Sequence, residues 1–205
     1  MIFLPSGVNI NSLIDDLKII SWEASDILLY YSQILTKNNN KSNILKNNNY
    51  IDPVTEADLT VNTKIIKKLN EKYNNTNWDV LSEENAKISK NNCDLNLDFL
   101  WILDPLDGTR DFLQGTLNYA MHLGLCFKQK SFLGVVLIPG RNELWITNGK
   151  EVWGERKDGS FLKPNLSKNR LFSQMTIVTS KNHRNDALET LIKRIPFKKR
   201  EIMGS

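Results

Sequence analysis

A chain of 205 residues, 40% of them hydrophobic, can bury one sizeable core, which excludes a disordered tail and predicts a single domain over 1–205, or most of one. Its 27 Lys and Arg against 23 Asp and Glu leave a net charge of +4, a slight excess with no helix-turn-helix, zinc or RNA-binding signature beside it, so no nucleic-acid partner is expected. No apolar run approaches the length of a membrane span, Met1 to Ile10 lacks the regions of a secretion signal, and Cys93 and Cys126 suggest no disulfide framework; a cytoplasmic protein with no membrane partner is expected.

In chain order, Leu13, Leu17, Ile20, Ala24, Leu28, Tyr31 and Leu35 recur at helical spacing and predict a helix over 13–35, with Ser12 and Asp15 as its start signal. Thr36 to Asn49 is Asn-dense and polar, and reads as a loop. A second helix is predicted over 56–73 from Leu59, Ile65, Ile66 and Leu69. Asp58 lies just inside its start, where Thr55-Glu56-Ala57-Asp58 also fits a capping box whose acid merely serves the helix terminus. The short apolar run Val80-Leu81 ends in Ser82-Glu83-Glu84, an acidic pair whose plainer reading is a solvated charge pair. Phe99 to Leu103 predicts a buried strand that stops at Asp104. Beyond it, strands are predicted over 119–127, 132–138, 143–147 and 151–155, separated by Gln129-Lys130, Gly140-Arg141-Asn142 and Asn148-Gly149-Lys150, the punctuation of an antiparallel meander. His122 falls in the alternating stretch Ala120 to Cys126 and reads as a strand residue, and Trp145 and Trp153 as packing residues. A strand over 176–179, a helix over 186–193 and a last strand over 199–203 complete the pattern; Lys193, Arg194, Lys198, Lys199 and Arg200 flank that helix as a solvated basic face.

The run Asp104-Pro105-Leu106-Asp107-Gly108-Thr109 concentrates chemistry. Asp104 and Asp107 stand three apart, so a tight turn points both carboxylates to one side with the Leu106 carbonyl between them, an all-oxygen set that suits Mg²⁺, Mn²⁺ or Ca²⁺. Gly108 permits close backbone approach, and a helix beginning at Thr109 offers amides to an anion. Asp-Pro-Leu-Asp-Gly is equally an ordinary turn, each residue standing where turns favour it.

The three segments Pro53 to Asp58, Leu81 to Glu84 and Asp104 to Thr109, in this order, resemble the signature of the inositol monophosphatase superfamily, the lithium-sensitive, Mg²⁺-dependent phosphomonoesterases. Leu81-Ser82-Glu83-Glu84 and Arg110-Asp111 before Phe112 resemble most closely the 3′(2′),5′-bisphosphate nucleotidases, which act on 3′-phosphoadenosine 5′-phosphate in sulfate assimilation; the inositol branch tends to carry Asn where Asp111 stands. The resemblance implies that Glu83, Asp104, Asp107 and the Leu106 carbonyl bind Mg²⁺, that Gly108 and Thr109 hold the phosphate through their amides, and that Asp58 and Thr109 orient or deprotonate the attacking water. It also implies a small-molecule phosphate ester as partner. Cations suit this chemistry because a phosphomonoester dianion repels hydroxide and must be neutralised for an in-line displacement.

The implied fold is α/β (α+β), a layered αβαβα sandwich of the sugar-phosphatase type with an antiparallel N-terminal sheet. Relatives carry a Trp-Asp-x-Ala-Ala type segment past the point where this chain stops, so the final C-terminal layer is expected to be truncated and the phosphatase domain incomplete. Lys46 is only a loose counterpart of a Lys common in relatives, and Asp52 stands where they often have Ser. Two other functions fit the same residues: an inositol monophosphatase or sugar phosphatase, and a catalytically inactive, truncated family member.

Overall fold

An Asn side chain begins the first helix, α1 (Ile10–Lys37): the Asn9 carboxamide oxygen accepts from the amides of Asn11 and Ser12 at 2.9 and 3.3 Å. The computed structural model describes residues 4–37, 53–88, 97–165, 171–181 and 185–203. The predicted loop therefore lies outside the described residues from 38 onward, as do Lys46, Asp52, Cys93 and His183, while Thr36 and Lys37 belong to α1. The second helix, α2 (Pro53–Lys72), also starts earlier than predicted, because a proline in the first turn has φ preset for the helix and its missing N–H is not needed there. This corrects the capping-box reading: Thr55 to Asp58 lies within α2, and Asp58 is buried in its second turn.

The chain falls into two compact units, Met1–Lys163 and Pro164–Ser205. In the first, a seven-stranded sheet has the order β1 (Trp78–Ser82), β2 (Phe99–Asp107), β3 (Ala120–Phe127), β4 (Lys130–Ile138), β5 (Glu143–Thr147), β6 (Val152–Glu155) and β7 (Phe161–Leu162). The pairs from β2 onward are antiparallel, the predicted meander; β1 and β2 alone run parallel, joined by a crossover that includes the short helix α3 (Glu83–Ile88). The β3–β4 turn is Lys128-Gln129, one residue earlier than predicted, both with φ in the left-handed region as a two-residue hairpin requires. Strand β2 does not stop at Asp104; it runs to Asp107 with a register shift between the two acids, where Pro105 has no amide to give the ladder.

The core lies between this sheet and the helix pair. Leu13, Leu17, Ile20, Ala24 and Leu28 of α1 and Val61, Ile65 and Leu69 of α2 meet Trp101, Leu103, Leu125, Val135 and Leu137 of the sheet, all of them buried. Each such large side chain contributes about 1.5–3 kcal/mol by leaving water. No described helix is long and apolar enough to cross a membrane.

The second unit is a β-α-β piece: β8 (Thr176–Ser180) and β9 (Lys199–Met203) pair in parallel, with α5 (Asp186–Lys193) between them in sequence. Asn185 caps α5 by accepting from the Leu188 amide at 2.8 Å. Within the basic face, Arg200 makes a two-pronged pair with Glu189, 2.7 Å at each contact, and Lys199 meets Glu201 at 2.7 Å, so part of that charge is already compensated.

Glu23 ties α1 to α2. Its carboxylate lies 3.0 Å from the Lys64 ammonium and 3.2 Å from that of Lys68, and Lys64 holds the acid below its ordinary range against the opposing effect of partial burial, with Lys68 adding to the shift. A depressed acid stabilises the fold above the unfolded-state value and loses that contribution as pH falls through the folded-state value. Glu23→Gln is therefore expected to lower unfolding free energy by about 0.5–1 kcal/mol near neutral pH, a difference that vanishes in acid below the glutamate range. Urea unfolding at pH 7 and pH 3 checks both parts; an equal loss at both pH values would remove the ion pairs as its cause.

Candidate metal and phosphate site

Parallel pairing of β1 and β2 brings together acids that are distant in sequence. Ser82, the last residue of β1, pairs with Leu103, so Glu83 and Asp104 each follow directly at the same edge of the sheet. Beyond Asp104 the chain bends through Pro105 and Leu106, both buried, to a half-buried Asp107. The turn is tied internally: the Leu106 amide donates to Asp104 Oδ1 at 3.2 Å, and the Thr109 hydroxyl to the Leu106 carbonyl at 3.4 Å. Gly108 follows at φ 84° and ψ 34°, in the left-handed region, as the cap of α4 (Thr109–Leu113).

Electrostatics single out Asp104. Burial, and after it the charges of Glu83 and Asp107, push its carboxyl above the ordinary aspartate range, opposed by His122 and the Leu106 amide. Glu83 and Asp107 thus both disfavour the charged form of Asp104. An array of carboxylates and a main-chain carbonyl fits a hard divalent cation, which would remove that repulsion. Among the described residues, no three His, Cys, Asp or Glu side chains close into a cage able to hold a metal ion.

The other expected residues distribute as follows. Asp58 is 8% exposed on α2, a helix that packs against β2, α3 and α4, the elements carrying the acids and Thr109. Thr109 itself is exposed at the first position of α4, and Gly108 is buried. Asp111, whose pattern suggested a branch of the family, is buried and bonded to Thr116 at 2.8 Å. His122 is the strand residue expected of it, and it is also the cross-strand partner of Asp104. Sequence reasoning missed that second fact. The alternation of β3 puts His122 on one face, but only the register against β2 names its neighbour.

Comparison with known proteins places the chain. The family model described as "Inositol monophosphatase family" matches residues 13–204, and the chain belongs to that family. It is 29% identical over 156 residues to the 3′(2′),5′-bisphosphate nucleotidase CysQ of Buchnera aphidicola, covering 75% of this chain and 55% of that protein. It is 33% identical over 94 residues to the Nus factor SuhB of Haemophilus influenzae, covering 46% of this chain and 33% of that one. In structure it resembles inositol monophosphatase II of Staphylococcus aureus with a TM-score of 0.72 at 22% identity, over 95% of this chain and 66% of the other, which shows the fold: mixed α/β with a seven-stranded sheet and helices. The matched regions span only about half and a third of the two curated relatives.

The positive φ at Gly108 gives a test of the turn alone. Gly108→Ala is expected to cost about 1–2 kcal/mol, because an L side chain is strained there. Urea unfolding measures it, and a neutral substitution would show that the turn has another geometry.

Proposed function

We propose that the chain is a Mg²⁺-dependent phosphomonoesterase, with residues 1–205 belonging to one phosphatase domain, and that its substrate is 3′-phosphoadenosine 5′-phosphate or a related bisphosphate nucleotide of sulfur metabolism. The observation that carries the reading is the alignment of Glu83 with Asp104 at the end of the parallel β1–β2 pair, beside the Asp107 turn. Family membership supports the chemistry, and the resemblance to a CysQ nucleotidase supports the substrate.

Glu83, Asp104, Asp107 and the Leu106 carbonyl would hold the cation. A Mg²⁺ held there would supply charge neutralisation of the phosphate dianion and a more acidic water at neutral pH. Gly108 and Thr109 present amides to the phosphate oxygens, and Asp58 with Thr109 orients the attacking water and accepts its proton. Water oxygen then bonds to phosphorus as the bond to the 3′ oxygen breaks, and the leaving oxygen takes up a proton. The protein works in the cytoplasm on a soluble ester. The same machinery would serve inositol monophosphate, which is therefore the second substrate in the test.

Phosphate release from 3′-phosphoadenosine 5′-phosphate and from inositol 1-phosphate, each with and without Mg²⁺, checks the proposal on the 205-residue chain. Expected is Mg²⁺-dependent release from the nucleotide, reduced about 100-fold or more by Asp107→Asn. Release from inositol phosphate alone would reassign the substrate, and release from neither would make the chain inactive on its own. Thr109→Ala is expected to slow turnover by about 10²–10⁴-fold with an unchanged melting temperature. Unchanged turnover would remove Thr109 from the water-orienting pair.

A further inference from the structure

Helix α4 has five residues, too few to hold its own shape, yet it follows directly on Gly108 and begins with Thr109. What holds it is a hydrogen-bonded knot between buried Asp111 and the partly buried loop that follows the helix. Asp111 is 5% exposed. The Thr116 hydroxyl donates to Asp111 Oδ1 at 2.8 Å and lies 3.2 Å from the Asp111 carbonyl, which also accepts from the Thr116 amide at 3.0 Å. The Asn118 amide in turn donates to Thr116 Oγ1 at 3.4 Å. A buried carboxylate is costly unless it is bonded, so this contact is not an ornament of the surface.

The loop that carries Thr116 is itself wedged. Gly115 sits at φ +68°, and a Cβ there would stand 3.0 Å from Thr36 Cγ2 of α1. On the other side, a Cβ at Gly140 would come within 2.6 Å of Leu117 Cβ. The fully buried ring of Phe112 meets Tyr119 edge-on, with centroids 4.8 Å apart. Thr116 is therefore a fixed point, and Asp111 transmits that fixity one helical turn back, where the Phe112 amide donates to the Gly108 carbonyl at 2.9 Å.

We propose that Asp111, anchored by Thr116, is a positioning residue that holds the Gly108–Thr109 turn in the conformation that presents its amides to phosphate. Asp111 touches neither metal nor phosphate; its effect on phosphate rests on the phosphatase reading, while its effect on the turn does not. An Asn at this position keeps the accepting oxygen, so Asp111→Asn retains the bond and Asp111→Ala and Thr116→Val lose it.

The test is residue-resolved amide hydrogen exchange on the full chain, combined with titration of Mn²⁺ and then of inorganic phosphate. In Asp111→Ala and the milder Thr116→Val, the amides of Phe112 and Gln114 are expected to exchange about tenfold faster or more, with the sheet amides unchanged and Asp111→Asn near wild type. Phosphate affinity is expected to fall by a similar factor while Mn²⁺ affinity holds, since the acids lie upstream of α4. Unchanged exchange at Phe112 and Gln114 would overturn the proposal. So would a uniform rise across the sheet, the mark of a merely structural role. Wild-type chain that binds no phosphate, with the local exchange effect intact, would uphold the positioning of the turn and sink the phosphatase reading instead.

Discussion

Crowding of like charge at the end of one parallel strand pair is the constraint around which this molecule is organised. Glu83 and Asp104 are neighbours because Ser82 and Leu103 are paired, and Asp107 ends the same strand two residues past Pro105, after a shift of register. Burial and the two neighbouring acids both work against the charged form of Asp104.

The surroundings answer that constraint in mechanical terms. The buried stripes of α1 and α2 clamp one face of the sheet, and Glu23, with Lys64 and Lys68, ties the two helices to each other. Because α2 lies against β2, α3 and α4, a buried Asp58 is carried on an element that meets every part of the acidic edge. The β2 bulge, the left-handed Gly108 and the knot at Asp111 then fix the direction in which the chain leaves the strand.

Much of this was legible in the residues, and the limits follow from distance along the chain. The α1 stripe, α5 and the meander were visible because their periodicity is local and their turns are marked by Gly, Asn and Lys. The Asp104–Asp107 segment was read from the same local signal as a tight turn, but the structure carries β2 through both acids with a shift of register between them. Glu83 could be joined to it only by resemblance, since nothing local in Val80 to Glu84 announces a parallel partner across a crossover. His122 was read as a strand residue without its neighbour, which depends on register against β2. Helix starts were misplaced where the opening residue lay outside the apolar stripe, Asn9 for α1 and Pro53 for α2, and β7 was missed because two residues carry no pattern.

The most direct test is thermal unfolding of wild type and Asp107→Asn, each with and without Mg²⁺. If the acids are held together for a cation, the substitution relieves repulsion, so the metal-free variant melts no lower than wild type. Mg²⁺ then raises the wild-type transition, by about 2.7 kcal/mol of added stability at a hundredfold excess over the dissociation constant, and leaves the variant nearly unmoved. A variant that melts lower without metal, together with a wild type indifferent to Mg²⁺, would show that these residues only make a turn.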